Sequence, residues 1–152
     1  MARADDRLPA AVTDSRRRGG GQQTAGSNER QGKRETAEEG QVISCHSIES
    51  WREQIAKSNE PDKLVVVDFT ALWSGPCRTI EPFLAEQAKK FPNVLFLKVD
   101  VDELETVAQE YAVEAMPTFM FVKGGQIVDR VEGAQKDQLQ MTLAKHMATA
   151  SP

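Results

Sequence analysis

The sequence of 152 residues has only two cysteines, Cys45 and Cys77, and two histidines. Two cysteines cannot build the disulfide framework of a small secreted domain, which favours a reducing, intracellular compartment. The cysteines and histidines are scattered without the spacing of metal ligands, so no metal site is expected. The chain also lacks a run of about 18 apolar residues, and this absence argues against a transmembrane helix.

Charge is divided unevenly along the chain. Residues 1–34 contain eight Lys/Arg and four Asp/Glu, a net charge of +4, whereas the remainder has a net charge of −8. Residues 1–40 are rich in Gly, Gln, Ser and charge and show no apolar period, which predicts a disordered, basic extension. Its triplet Arg16–Arg18 is more typical of a solvated tail than of a nucleic-acid site, so no nucleic-acid partner is expected.

Residues 41–152 show the periods of one α/β domain. Apolar runs in QVISCHS, DKLVVVDFT, NVLFLKVDV and TFMFVKGGQIVDRVEG predict five strands, the last two joined in a hairpin at Gly124–Gly125. Helices are expected after Ser47, from near Ser74, after a capping box of Asp102 with Glu105, and over AQKDQLQMTLAKHMA. The order β-α-β-α-β-α-β-β-α predicts a mixed sheet of five strands with helices on both faces.

The stretch LWSGPC, residues 72–77, has the frame of a Cys-x-x-Cys redox site, but Ser74 occupies the first thiol position. In such a site the first thiolate attacks a target disulfide, and the second thiol then resolves the mixed disulfide. A serine hydroxyl is barely ionised near neutral pH and forms no disulfide. On the local pattern alone, an ordinary helix N-cap is the favoured interpretation of Ser74, and Cys77 is expected to be a buried thiol among apolar neighbours.

Four other residues have two interpretations each. Asp68, inside a buried strand, is either a carboxyl of raised pKa that carries protons near Cys77 or an acid bonded to local backbone. Pro117 should begin a strand, with a cis or trans bond. Trp73 is a core anchor or, as its polar neighbours favour, an exposed recognition residue. Cys45 is a packed apolar residue or, if exposed, an additional redox thiol.

The segments VVVDFTALWSGPCRTIEPF, NVLFLKVDVDEL, AMPTFMFVKGG and VEGA closely resemble plant h-type thioredoxins, in the same order and spacing, over about residues 38–150. The resemblance implies the thioredoxin fold, a five-stranded mixed sheet flanked by four helices. It also implies a monomeric, cytoplasmic protein that reduces disulfides of target proteins. Such a protein binds no cofactor and is recycled by NADPH through thioredoxin reductase.

The resemblance also assigns roles to residues. Ser74 stands where the family has its nucleophilic cysteine, and Cys77 matches the resolving cysteine. Asp68 matches the buried acid that assists proton transfer, with Lys98 near it. Cys45 resembles an extra N-terminal cysteine of many h-type members. Redox tuning is assigned to Gly75 and Pro76, and target docking to Trp73, Met116, Pro117, Gly133 and Ala134.

Three functions are open on the sequence. The first is a thioredoxin-like protein with crippled or absent dithiol turnover, because Ser74 replaces the attacking thiol, that still docks targets. The second is a functional protein-disulfide reductase in which Ser74 is an engineered or erroneous substitution. The third is a monothiol enzyme that uses Cys77 with glutathione.

Overall fold

The computed structural model of the protein describes residues 40–148. The predicted extension and its boundary near residue 40 lie outside the described residues and stay a prediction. Within the described range, no helix is long and apolar enough to cross a membrane.

The elements are β1 Val42–Cys45, α1 Ile48–Ile55, a 3-10 turn Ala56–Asn59, β2 Leu64–Thr70, α2 Gly75–Lys90, β3 Leu95–Asp100, α3 Glu105–Glu110, β4 Thr118–Lys123, β5 Gln126–Glu132 and α4 Lys136–Ala148.

The five strands form one mixed sheet in the order β1-β3-β2-β4-β5. Strands β1, β3 and β2 are parallel, while β4 pairs antiparallel with both β2 and β5. Each parallel strand returns through a helix, as the sequence pattern predicted, and the tight turn at Gly124–Gly125 makes the last pair antiparallel. The predicted α/β class and the thioredoxin fold are therefore confirmed.

Strand β2 lies at the centre of the sheet, and all seven of its side chains are buried. Because successive side chains point to opposite faces, the strand supplies two separate cores. Val65, Val67 and Phe69 join the core that also contains Trp51 of α1. Leu64 and Val66 face the other side and pack with α2 and α4.

One predicted helix start is confirmed and another is wrong. The Ser47 hydroxyl oxygen accepts a hydrogen bond from the Ser50 N–H at 3.0 Å and caps α1. Helix α3 begins instead after Leu104, which makes no side-chain cap, so the predicted capping box does not form. The Asp102 carboxylate accepts a hydrogen bond from the indole N–H of Trp73 at 2.9 Å. Asp102 therefore contacts Trp73, 29 residues away in the sequence, instead of capping helix α3.

Candidate active site

The turn between β2 and α2 is closed by Ser74. Its backbone is extended, with φ −93° and ψ 118°, and its hydroxyl oxygen accepts the N–H of Cys77 at 3.3 Å. Gly75 and Pro76 form the start of the helix, where proline removes no needed hydrogen bond. Ser74 is only 5% exposed. The N-cap interpretation of Ser74 is therefore confirmed.

Cys77 lies in the first turn of α2 as a free thiol, and it is 1% exposed. It shares the buried side of the helix with Ile80 and Leu84, which pack on the sheet. The predicted burial is confirmed. A large disulfide substrate has no direct access to this sulfur in the described conformation.

Asp68 is the buried carboxyl on the same side of the sheet. It is 1% exposed, and neither carboxyl oxygen has a hydrogen-bond partner among the described residues. Burial raises the pKa of Asp68 to about 7, although the charge of Lys98 acts to lower this pKa and that of Glu81 to raise it. The carboxyl can therefore gain and lose a proton near neutral pH.

Lys98 and Glu81 form an ion pair beside this carboxyl. Lys98 is the register partner of Asp68 on the parallel strand β3, so the two side chains share a face of the sheet. Its ammonium donates to Glu81 Oε2 at 3.2 Å rather than to Asp68. The sequence interpretation missed Glu81. The signal was its spacing, since a residue four positions after Cys77 lies on the same helical face.

The loops before β4 and after β5 meet at Pro117. The Met116–Pro117 bond is cis, and the Gly133 N–H donates to the Pro117 carbonyl at 2.8 Å. Gly133 has φ +96°, a conformation that glycine adopts without a steric penalty. Because Thr118 pairs with Phe69, Pro117 lies beside the end of β2. Met116 is half-buried, whereas Ala134 is exposed.

Trp73 projects from the turn and is 65% exposed, next to Leu72 at 77%. The sequence favoured exposure, and the structure confirms it. The hydrogen bond to Asp102 fixes one edge of the indole, while the Arg78 guanidinium donates to the Leu72 carbonyl at 2.7 Å. The turn thus exposes the apolar side chains of Leu72 and Trp73, and hydrogen bonds to Arg78 and Asp102 fix its conformation.

Cys45 does not belong to this site. It ends the edge strand β1, opposite Val99 of β3, and joins the core on the far face with Trp51 and Phe69. Burial raises the pKa of the thiol to about 11, against smaller lowering effects of Ser50 and Lys57. At 1% exposure this environment favours the packed interpretation over an additional redox thiol.

The structure therefore gathers a capped helix start, a buried thiol, a buried acid that binds a proton near neutral pH, and exposed apolar residues. No three His, Cys, Asp or Glu side chains within residues 40–148 cluster as a metal site. The arrangement places a buried ionisable carboxyl on the same side of the sheet as the thiol, and an exposed apolar pair at the turn. At position 74 it supplies a hydroxyl that is engaged in a helix cap.

Comparisons with known proteins agree with this geometry. The Thioredoxin family model matches residues 42–145. A Thioredoxin H-type of Ricinus communis is 70% identical over 115 residues, covering 76% of this chain and 98% of that protein. Thioredoxin H1 of Arabidopsis thaliana is 65% identical over 112 residues, covering 74% and 98%. The crystal structure of a Nicotiana alata thioredoxin superposes with a TM-score of 0.68 at 47% identity, covering 70% and 92%.

Proposed function

Since this chain belongs to the thioredoxin family and resembles its plant h-type members, we propose that it is a disulfide oxidoreductase homologue that docks targets without dithiol turnover. Ser74 occupies the position of the attacking thiol. The partners are disulfide-containing proteins and thioredoxin reductase, and the chain acts as a cytosolic monomer without a bound cofactor. Reducing equivalents, where any are needed, come from NADPH through the reductase.

The observation that carries this proposal is the engagement of the Ser74 hydroxyl. Its oxygen accepts the Cys77 N–H and is 5% exposed. In the dithiol reaction, a thiolate at this position attacks a target sulfur, and the target's second sulfur leaves as a thiolate. A neutral alcohol is a poor nucleophile, and no base within residues 40–148 is hydrogen-bonded to this hydroxyl to remove its proton. The first step therefore fails.

The second half of the reaction retains its residues. Cys77 has the place of the resolving thiol, and Asp68 has that of the proton carrier. With its pKa raised to about 7, Asp68 matches the proton affinity needed by an acid–base group at cytosolic pH. Gly75 and Pro76 shape the turn and would tune the potential of a restored dithiol. The dithiol reaction is thus blocked at one atom, the Ser74 hydroxyl oxygen that stands in place of sulfur.

Target docking is assigned to the surface around the turn. Trp73 offers exposed apolar area held in place by Asp102. Met116 precedes the cis Pro117, and its backbone can pair with an extended target segment. The hydrogen bond from the Gly133 N–H to the Pro117 carbonyl holds the loop of Gly133 and Ala134 beside Pro117, and we assign this loop to the same docking surface.

Insulin reduction with NADPH and thioredoxin reductase tests the proposal. We expect the native chain to reduce no more insulin than buffer does, and Ser74→Cys to restore turnover because it supplies the attacking sulfur. Ser74→Ala should stay inactive, and Ser74→Cys combined with Cys77→Ser should lose steady turnover. Reduction by the native chain at the rate of Ser74→Cys would overturn the proposal.

A second candidate is a working reductase whose natural residue at position 74 is cysteine. It is favoured by the retention of the costly buried Asp68, which the packing of the domain alone does not require. The genomic codon for residue 74 decides between the two candidates.

The monothiol alternative is the weakest of the three. It requires glutathione to reach Cys77, and the 1% exposure of this residue opposes such access. Glutathione-dependent disulfide reduction by the native chain that Cys77→Ser abolishes would support it. The absence of glutathione-dependent activity would exclude the monothiol function.

A further inference from the structure

Lys98 has two carboxyl groups near its ammonium and is bonded to only one of them. The sheet register places it opposite Asp68 on the neighbouring parallel strand, and adjacent strands are about 4.8 Å apart. Its ammonium nevertheless donates to Glu81 Oε2 at 3.2 Å, while both Asp68 oxygens have no hydrogen-bond partner among the described residues. Which carboxyl binds this ammonium therefore determines whether Asp68 has a cationic partner.

Glu81 reaches Lys98 from the margin of helix α2. It follows directly after Ile80, which is fully buried against the sheet. The side chains of Glu81 and Lys98 are 41% and 32% exposed, whereas Asp68 is buried. The ion pair thus keeps the ammonium where water still reaches it, instead of on the buried carboxyl.

The groups that face Asp68 come from the elements packed around it. Strand β3 contributes the Lys98 ammonium, and helix α2 contributes the Cys77 thiol and the Glu81 carboxylate. Strand β4 places Phe119 opposite Asp68 and adds no charge, and helix α4 covers this side of the sheet with leucines. The charges that act on the pKa of Asp68 are those of Lys98 and Glu81, in opposite directions.

The ion pair can be released by removing one charge. A partly exposed pair is weak, because water and salt screen it. Without the charge of Glu81, the Asp68 carboxylate is the remaining anion that acts at this position, and the flexible four-carbon stem of lysine lets the ammonium turn towards it. The pair with Glu81 avoids the loss of hydration that an ammonium suffers beside a buried carboxyl.

We propose that Glu81 is a positioning residue: it holds the Lys98 ammonium in an ion pair at the margin of α2 and so leaves the Asp68 carboxyl without a cationic partner. This role does not depend on dithiol turnover, because it concerns only the ion pair and the buried carboxyl. The proton affinity of Asp68 is then set by a helix residue that is not hydrogen-bonded to it.

A ¹³C NMR titration of the Asp68 carboxyl carbon measures this role. The signal is assigned by its absence in Asp68→Asn, and in the native chain it should titrate with a pKa of about 7. Glu81→Gln keeps the size of the side chain and removes its charge. We expect this variant to lower the pKa of Asp68 by about one to two pH units, because an ammonium within about 4–6 Å stabilises a carboxylate.

A double-mutant cycle separates positioning from direct repulsion between the two carboxylates. The charge of Glu81 itself also raises the pKa of Asp68, so a fall in Glu81→Gln alone has two possible causes. Lys98→Met keeps the apolar stem and removes the ammonium. If Glu81 acts through Lys98, Glu81→Gln should change the pKa of Asp68 in the Lys98→Met background by less than about half of its effect in the native chain.

Glu86→Gln is the matched control. Glu86 lies on the same helix and is exposed, and it forms no ion pair within residues 40–148. Its substitution removes the same charge from α2 but leaves the pair of Glu81 and Lys98 intact. The pKa of Asp68 in this variant should equal that of the native chain.

A consequence for catalysis rests on the proton-transfer role proposed for Asp68. In the Ser74→Cys background, Glu81→Gln should move the acid limb of the pH profile of insulin reduction to lower pH, by the same amount as the titration. A profile that stays in place while the titration moves would reject the role of Asp68 and not that of Glu81.

Two results would overturn the inference, and both come from the titration alone. An unchanged pKa of Asp68 in Glu81→Gln would show that Glu81 does not keep the ammonium from this carboxyl. An equal fall in the native and Lys98→Met backgrounds would assign the whole effect to direct repulsion by the Glu81 charge.

Discussion

The two sides of strand β2 use burial in different ways. On one side, Phe69 packs against Trp51 and Tyr111, with ring centroids 6.4 and 6.3 Å apart, and Cys45 belongs to the same core. On the other side, the adjacent residue Asp68 is equally buried but has no hydrogen-bond partner among the described residues. One side contributes stability, while the other holds a group whose charge is costly to bury.

The comparison teaches that burial alone does not mark a chemical site. Cys45 and Cys77 are both 1% exposed. They differ in their surroundings, because Cys77 lies in the first turn of a helix on the side of the sheet that holds Asp68, whereas Cys45 is surrounded by apolar and aromatic residues. The presence of a buried ionisable carboxyl, rather than the degree of burial, distinguishes the side of Asp68 from the side of Phe69.

The largest effect should come from the packing side. Phe69→Ala removes a fully buried ring and should lower the free energy of unfolding by about 3–5 kcal/mol, through lost transfer energy and a cavity. Urea unfolding at a single pH measures this loss. Val128→Ala on the exposed part of β5 is the control and should change stability by less than about 0.5 kcal/mol. An equal loss of unfolding free energy in Phe69→Ala and Val128→Ala would contradict the stabilising role of the core around Phe69.

The raised pKa of Asp68 should make the free energy of unfolding depend on pH. Because burial raises the pKa of Asp68 from its ordinary value of 3.8 to about 7, the folded state binds more protons than the unfolded state between these pH values. The stability that the protonated Asp68 carboxyl contributes is complete below pH 3.8 and is lost as pH rises through about 7. Between pH 5 and pH 8 the loss should be about 3 kcal/mol.

Urea unfolding of the native chain and Asp68→Asn at the two pH values isolates this contribution. The amide does not titrate, so the variant should lose about 3 kcal/mol less than the native chain between pH 5 and pH 8. Phe69→Ala retains the carboxyl and should keep the native pH dependence. The same pH dependence in Asp68→Asn and the native chain would contradict the raised pKa.

Cys45 should react slowly for the reason that it is packed. A pKa raised from 9.0 to about 11 reduces the thiolate fraction at pH 8, which should slow alkylation by about a hundredfold. Mass spectrometry of the Cys45 peptide after timed iodoacetamide treatment measures the rate, with the urea-unfolded chain as reference. A folded rate within about tenfold of the unfolded one would restore Cys45 as a candidate redox thiol.

Much of the fold could be predicted because its signals are local. The continuous apolar run of β2 indicated a central strand, the Gly124–Gly125 pair indicated a hairpin, and Ser74 indicated a helix start. Each signal depends on a few neighbouring residues. The element order followed from these signals, since parallel strands need helical connections.

The remaining features depend on contacts between distant residues. Asp102 was assigned to a local cap, but its partner Trp73 is 29 residues away. Glu81 pairs with Lys98 across 17 residues, and nothing in the sequence of α2 specifies that strand β3 brings a lysine there. The hydrogen bond from Gly133 to Pro117 likewise requires two strands to be paired first. Such contacts become visible only when the sheet order is known.

The most direct test of the central claim is the mass of the intact chain after oxidation, which requires no target and no reductase. With oxidised dithiothreitol, Ser74→Cys should lose two hydrogen atoms as residues 74 and 77 form a disulfide. The native chain should keep its mass, because Ser74 has no sulfur and Cys45 and Cys77 are both buried, on different sides of the sheet. A monomeric native chain that loses two hydrogen atoms would contradict the account.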